Sequence, residues 1–344
     1  MVEFKQVRTF VGIDAHGEHC NLKALSRQGR GILELEVPTN SAELCAAVKP
    51  LPGPVWAMVE SSSIAPFVVW SLEAVLDRVI VCETRENRWI AKSEDKSDPA
   101  DADRLARLLR MGEFKEVYVP SRERQELREL VLLYDKMVGD TARAKSRLKA
   151  KFRQHGLAVS GSAGYSEAGR QSWLDRVRRR TVRFMLEALY AKLDAAEEVQ
   201  EILARRLSAM LGSRREYRRL KTMPGIGEVV AAIFVGVIDN PHRFPDKRKL
   251  WKYAGLSVRG PWTGDPKQAK TGGSCTGNRL LKYAAMVAAE RATVGSNRFG
   301  RRYQEMLARG LDRSMALKTT ARNILATALA MWKSGTDYRE PESA

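Results

Sequence analysis

The chain has 344 residues, a formal net charge of +18 and 44% hydrophobic residues. A chain of this length buries a real core and divides into two or three domains, and its apolar content excludes a disordered basic tail. The positive excess points to a polyanionic partner, nucleic acid ahead of an anionic membrane surface. No apolar run reaches the length of a membrane span. The opening "MVEFKQVRTFVGID" lacks an apolar signal core. Cys20, Cys45, Cys82 and Cys275 are scattered without CxxC spacing, which argues against a zinc site or disulfide framework and fits a reducing cytoplasm.

In chain order, residues 7–13, "VRTFVGI", read as a buried strand. "CNLKALS" and "ILELEVP" follow as a hairpin around "RQGRG". "SAELCAAVKPL" is a short helix with Ser41 as its N-cap. "PVWAMVE", 54–60, is a strand, "APFVVWSLEAVLDR" a helix, "VIVCET" a strand, and "DADRLARLLRMG" a helix stopped by Gly112. Strand–helix alternation after an antiparallel start predicts an α/β domain with a mixed sheet over residues 1–120.

Residues 121–221 carry no strand pattern. A Gly/Ser-rich break at 156–169 separates two long basic helices, a hairpin or coiled-coil arm. Arg143, Lys145, Arg147, Lys149, Lys151 and Arg153 alternate with other residues and have no acids between them. That favours phosphate contacts over a merely solvated face. "RVRRRTVR", 176–183, and "RREYRRLK", 214–221, add two further basic clusters. Residues 222–335 form a third, helical region, and 336–344 a tail.

Asp14 ends the first strand and Glu60 ends the strand that begins near Val55. Asp98 and Asp101 stand three apart at a helix start and share a face. Carboxylates from three element ends suit a divalent cation, which takes hard oxygen ligands and can serve phosphodiester chemistry. Helix capping competes at the third element, with Asp98 as N-cap, Pro99 in the first turn and Asp101 favourable to the dipole. His16 and His19 read as solvated turn residues. In "MPGIGEVVAA", Pro224, Gly225 and Gly227 make a tight turn into a helix whose free N–H groups can meet a phosphate, or simply an inter-helix turn. The loop 257–279 offers Ser257, Thr263, Thr271, Ser274 and Thr276 beside Lys267, Lys270 and Arg279. It is either a site for a phosphoryl-transfer nucleophile or a flexible polar loop.

"VGIDAHGEH", "WAMVES", "DKSDPADADRLARLL", "KSRLKAKFRQHGL", "MPGIGEVVAAIFVGVIDNPHRFPDKRKLWKYAGL", "TGNRLLKYAAMVAA" and "ARNILATALAMWKSG", in this order, resemble the IS110 family of insertion-sequence transposases. That group comprises bridge-RNA-guided recombinases and includes the pilin-gene invertase type. The resemblance covers most of the chain. It implies an α/β plus all-α architecture: an RNase H/RuvC-like DEDD domain, a helical coiled-coil arm, and a helical C-terminal transposase domain with a helix-hairpin-helix element. It assigns the metal-binding acids to Asp14, Glu60, Asp98 and Asp101, leaving Asp103 as a helix residue, and implies Mg2+ (or Mn2+) as the cofactor. It further implies DNA as substrate, a guide (bridge) RNA, a homo-oligomer of two or four copies, and a prokaryotic, nucleoid-associated location. The family's nucleophile is a serine in a Ser-Gly pair, but here Thr263–Gly264 stands at that point. Thr263 takes the role, or Ser257 or Ser274 takes it instead, or the copy is inactive. Nucleic acid is expected at Arg143, Lys145, Arg147, Lys149, Lys151, Arg153, Gly225, Gly227, Lys267 and Lys270. A RuvC-like metal-dependent nuclease and a non-catalytic nucleic-acid-binding derivative remain as alternatives.

Overall fold

The computed structural model describes residues 3–83, 98–159, 161, 162, 164–257 and 277–341, with the side chains of Asp98, Pro99 and Glu167 outside that description. The chain divides into two compact units, residues 1–123 and 124–344.

In the first unit, strands β1 (Thr9–Ala15), β2 (His19–Ser26) and β3 (Gly31–Pro38) form an antiparallel meander. β4 (Val55–Glu60) and β5 (Arg78–Cys82) then run parallel to β1, and the two-residue β6 (Glu116–Val117) pairs antiparallel at the edge. The described sheet has the order β3-β2-β1-β4-β5-β6. Strict alternation sends successive side chains to opposite faces. Val11, Ile13, Leu22, Ala57 and Val59 pack against Leu44 and Val48 of α1 (Ser41–Val48) and Val68 and Leu72 of α2 (Ala65–Leu72). Phe10, Trp56, Met58 and Ile80 face the other way, onto Leu105, Leu108 and Leu109 of α3 (Asp98–Met111).

Gly12 sets how α3 lies on that face. A Cβ at this position would stand 2.0 Å from the Ala102 carbonyl oxygen and 2.5 Å from the Ala106 nitrogen, so only glycine lets the helix backbone seat against β1. Ala102 thus sits over Gly12, Leu105 and Leu109 meet Phe10, and Gly112 beyond the helix end borders the Phe4 ring. α3 therefore runs antiparallel to β1, and its first turn lies toward the end where β1 and β4 finish.

Three local expectations are corrected. The α1 cap is Asn40, whose Oδ1 accepts the Glu43 N–H at 2.9 Å, not Ser41. α2 stops at Leu72, short of Arg78, because Asp77 Oδ2 accepts the Val55 N–H at 2.7 Å and draws the chain into the sheet. β6 escaped the sequence reading because two residues carry no periodic signal.

The second unit is helical among its described residues. The 33-residue α4 (Arg122–Gln154) and 32-residue α6 (Arg180–Leu211) pack side by side, with the short α5 (Glu167–Leu174) between them in sequence. Ala144, Leu148 and Phe152 of α4 meet Val182, Leu186, Tyr190 and Leu193 of α6. Leu127 and Val131, near the other end of α4, cluster with Leu207 and Leu211. The two helices are therefore antiparallel. Polar groups join them between the clusters: Thr141 Oγ1 donates to Gln200 Oε1 at 3.2 Å, and Gln200 Nε2 donates to the Tyr134 hydroxyl at 3.2 Å. α7 (Arg215–Lys221), α8 (Glu228–Ile238), a 3-10 turn (Pro241–Arg243), α9 (Lys247–Tyr253), α10 (Arg279–Ala292), α11 (Arg298–Ala308) and α12 (Arg313–Ser334) follow. α8 is buried from Val230 through Ile238, as its nearly all-apolar sequence requires. Among the described residues no helix is long and apolar enough to cross a membrane.

Candidate active site and nucleic-acid interface

Register brings the first two predicted acids together. Ile13 lies opposite Val59, so the next residues, Asp14 one short of the end of β1 and Glu60 at the end of β4, are neighbours on adjacent parallel strands. Asn21 is opposite both Asp14 and Glu36, and Glu60 is opposite Cys82. Glu36, Asn21, Asp14, Glu60 and Cys82 thus form one transverse row on the α3 side of the sheet. Asp14 is 9% exposed, whereas Glu60 is exposed. Burial, and after it the Glu60 charge, push the Cys82 thiol up to about 12. Its sensitivity to that charge agrees with the two side chains sharing a face.

Asp14 is tied down locally. His16 Nε2 stands 3.0 Å from Asp14 Oδ2, and the His16 and His19 rings lie 5.2 Å apart. His16 is therefore exposed, as a solvated turn residue is, and at the same time a hydrogen-bond partner of the first acid. Its backbone is held as well: the His16 N–H donates to the His19 carbonyl at 2.9 Å, and Thr39 Oγ1 donates to the His16 carbonyl at 2.8 Å. Asn21 is 7% exposed, and its Nδ2 has no hydrogen-bond partner among the described residues. A buried orphan amide one strand from Asp14 is a polar group waiting for an acceptor. The sequence signal for it was a carboxamide within the otherwise strand-like "CNLKALS".

Asp98 opens α3, and its side chain lies outside the described residues, as do both the cap and the metal role predicted for it. Asp101 lies in the first turn and accepts from Arg104 Nη1 at 2.6 Å. Asp103 pairs with Arg107 Nε at 2.5 Å, on the helix surface. Among the described residues no group of three or more His, Cys, Asp or Glu is gathered closely enough to hold a metal ion. The donor chemistry nevertheless fits a hard divalent cation: Asp14 and Glu60 offer carboxylate oxygens at neighbouring strand ends, toward which the first turn of α3 is directed.

The basic helix needs a correction of its own. Arg143 Nη2 pairs with Asp140 at 2.7 Å, and Lys145 Nζ with Glu197 of α6 at 2.7 Å, so acids from outside the run neutralise two of its six cations. At about 100° per residue, the alternating cations fall into two stripes flanking the buried ridge Thr141, Ala144, Leu148 and Phe152. Arg143, Arg147, Lys149 and Arg153 are exposed, and Lys145 and Lys151 are partly so. Gly227 is the N-cap of α8, without a side-chain cap. Gly225 has φ +82°, and a Cβ there would stand 2.1 Å from the Ala288 carbonyl oxygen, so contact with α10 already explains that glycine. Thr263, Ser274, Lys267 and Lys270 lie outside the described residues, while Ser257 is half-buried.

A transposase family, DEDD_Tnp_IS110, matches residues 11–156, and the Transposase IS116/IS110/IS902 family matches residues 217–304. The chain belongs to the IS110 family of transposases. In this IS110-family chain the first match takes in all four predicted acids and the basic part of α4. The second takes in the turn at Gly225 and the hydroxyl-bearing segment after Leu256. An insertion element IS110 protein of 43.6 kDa from Streptomyces coelicolor is 28% identical over 161 residues, 46% of this chain and 39% of that protein. A transposase for insertion sequence element IS1111A from Coxiella burnetii is 22% identical over 196 residues, 55% of this chain and 52% of that protein. The chain thus spans about half the length, or less, of the curated relatives it matches.

Proposed function

We propose that this IS110-family protein cuts and rejoins DNA through a covalent protein–DNA ester. The observation that carries this reading is the placement of Asp14 and Glu60 side by side at adjacent strand ends, on the face over which α3 runs. Asp14, Glu60, Asp98 and Asp101 would hold Mg2+ or Mn2+ there. When bound, the cation supplies Lewis-acid polarisation of a phosphate and neutralises the repulsion between acids and nucleic acid. His16 holds Asp14 in one orientation through the 3.0 Å hydrogen bond. The hydroxyl of Thr263, or of Ser257 or Ser274, attacks the scissile phosphorus and loses its proton. A new O–P bond forms, the P–O bond to the leaving deoxyribose oxygen breaks, and that oxygen takes up a proton. A second DNA hydroxyl reverses the step, so the ester conserves the bond energy and no nucleotide hydrolysis is needed. Several such centres act together, so two or four copies are expected, with the hydroxyl and the acids supplied by different copies.

In this reading the antiparallel helices α4 and α6 form the family's coiled-coil arm, and α7, the Gly225 turn and α8 form its helix-hairpin-helix element. The sheet with its covering helices is the RuvC-like domain. Arg147, Lys149, Lys151 and Arg153 on the outer stripes of α4 suit the phosphate backbone of a structured guide RNA. Thr263 in place of the family serine favours a second reading, a RuvC-like nuclease in which water attacks.

The test incubates protein, guide RNA and DNA with Mg2+ and looks for DNA linked to protein on a denaturing gel. Linkage lost in one of Thr263→Ala, Ser257→Ala or Ser274→Ala assigns the nucleophile. Cleavage without linkage, unchanged in all three variants, establishes the nuclease. Tight binding without cleavage leaves a non-catalytic derivative.

A further inference from the structure

A cleft of about 580 Å³ in the second unit is lined by Arg128 of α4, Arg243 of the 3-10 turn with Phe244 and Pro245 after it, Lys249, Lys252 and Tyr253 of α9, and the backbone re-entering at Gly277 and Asn278. Four cations from three elements converge on it, and no carboxylate is among the described lining residues. Like charges gathered in one cleft repel one another, and that cost is relieved when an anion occupies the space between them.

The cleft wall is built to stay in place. The Arg243 guanidinium lies 4.6 Å from the Phe244 ring centroid and 4.7 Å from that of Tyr253, and the two rings are 5.3 Å apart. Lys333 of α12 donates to the Phe244 carbonyl at 2.5 Å and the Pro245 carbonyl at 3.2 Å, fixing the backbone behind the rings. Asp246, the acid nearest in sequence to Arg243 and Lys249, is already used: its Oδ1 caps α9 by accepting the Arg248 and Lys249 N–H groups at 2.6 and 3.0 Å. These backbone hydrogen bonds hold its carboxyl below the usual range, so it stays an acceptor for the helix end. By contrast Lys249 and Lys252 present exposed side chains.

The cleft also lies at a neck in the chain. The Asn278 N–H donates to the Tyr253 carbonyl at 2.7 Å, so the chain that departs after Leu256 returns beside its own point of departure. Every candidate nucleophile, from Ser257 to Ser274, belongs to the segment tethered at that neck.

We propose that this cleft binds a phosphodiester of the DNA strand being cut, Lys249 and Lys252 contacting its oxygens and Arg128 and Arg243 supplying the surrounding positive field. DNA is favoured over the guide RNA because the cleft adjoins the tether of the attacking hydroxyl, a preference that rests on the function proposed above.

Binding of a short fluorescent DNA duplex and of a guide-length RNA is measured separately, in EDTA, over a range of salt. Lys249→Glu with Lys252→Glu is expected to weaken DNA binding about tenfold or more and to reduce the slope of log affinity against log salt by about two. The double Lys→Arg variant restores both, and RNA affinity stays within twofold of the unaltered protein. Lys5→Glu with Lys49→Glu, two exposed sites in the first unit, matches the change in net charge. DNA affinity and slope no different from that control overturn the proposal, as does a loss confined to RNA. Because the assay contains no metal, it is independent of chemistry. A protein that forms no covalent linkage yet loses DNA binding in the double Glu variant refutes the proposed reaction and keeps the cleft. Linkage with unaltered binding does the reverse.

Discussion

The strand ends of the first unit and the cleft of the second handle charge in opposite ways. At the strand ends, short carboxylates project from a sheet whose register admits one arrangement: Asp14 is 9% exposed and neighbours Glu60 by backbone pairing alone. In the cleft, long lysines stand exposed on α9, while Arg243 rests against two aromatic rings. A cation site demands oxygens placed within tenths of an ångström, which a sheet supplies. A phosphate backbone tolerates movement, which flexible ammonium groups supply. The acids should therefore govern chemistry and the cations affinity.

The largest separation is expected from Asp14→Asn and Asp101→Asn. Strand cleavage should fall by about two orders of magnitude or more, while DNA affinity in EDTA is unchanged or tighter because a repelling charge is gone. Parallel cleavage and fluorescence-binding assays check this, and an equal loss in both would erase the contrast. The scaffolds behind the two regions can be compared next. Gly12→Ala drives a methyl into the α3 backbone and Gly225→Ala drives one into the α10 backbone. Each should cost about 3 kcal/mol, read by chemical denaturation. Gly12→Ala should lower cleavage at temperatures where cleft-dependent DNA binding persists.

On α4, neutralising Arg147, Lys149, Lys151 and Arg153 should reduce the salt slope of RNA binding by about three to four. Neutralising Arg143 and Lys145, already paired with Asp140 and Glu197, should change it by about one or less. Equal slopes in the two variants would mean that pairing does not divide the run. The smallest effect concerns Cys82, whose thiol burial and the Glu60 charge push up to about 12. At pH 8 its thiolate fraction is about a thousandfold below that of an ordinary thiol. Iodoacetamide followed by peptide mapping should leave it unmodified in the folded protein, and Glu60→Gln should raise its labelling rate slightly.

Asp14 and Glu60 were legible because a strand pattern shows where each strand stops and an acid at that point breaks the apolar run. Asp101 was legible as a helix-start acid, and Asp103 as a helix residue beside it. The contact of the exposed His16 with Asp14 was not legible, because two residues along a turn say nothing of whether an imidazole folds back onto the strand. Asn21 was passed over because a single carboxamide in a hairpin has no spacing to mark it. The run Arg143–Arg153 looked unneutralised because the acid opposing Lys145 sits on a helix some fifty residues away, at Glu197.

Composition, periodicity and motif order suffice to specify a basic, mixed α/β and helical chain of the IS110 family with its acids at element ends, because those properties are local and each residue states them itself. Folding in three dimensions decides which of these residues become neighbours. Strand register makes Asp14 and Glu60 a pair, the missing Cβ of Gly12 lets α3 seat against β1 on the same face, and the backbone contact between Tyr253 and Asn278 closes the neck beside four cations. Each depends on residues distant in the chain, and such proximity is set by packing and hydrogen bonding across elements, which no local pattern encodes.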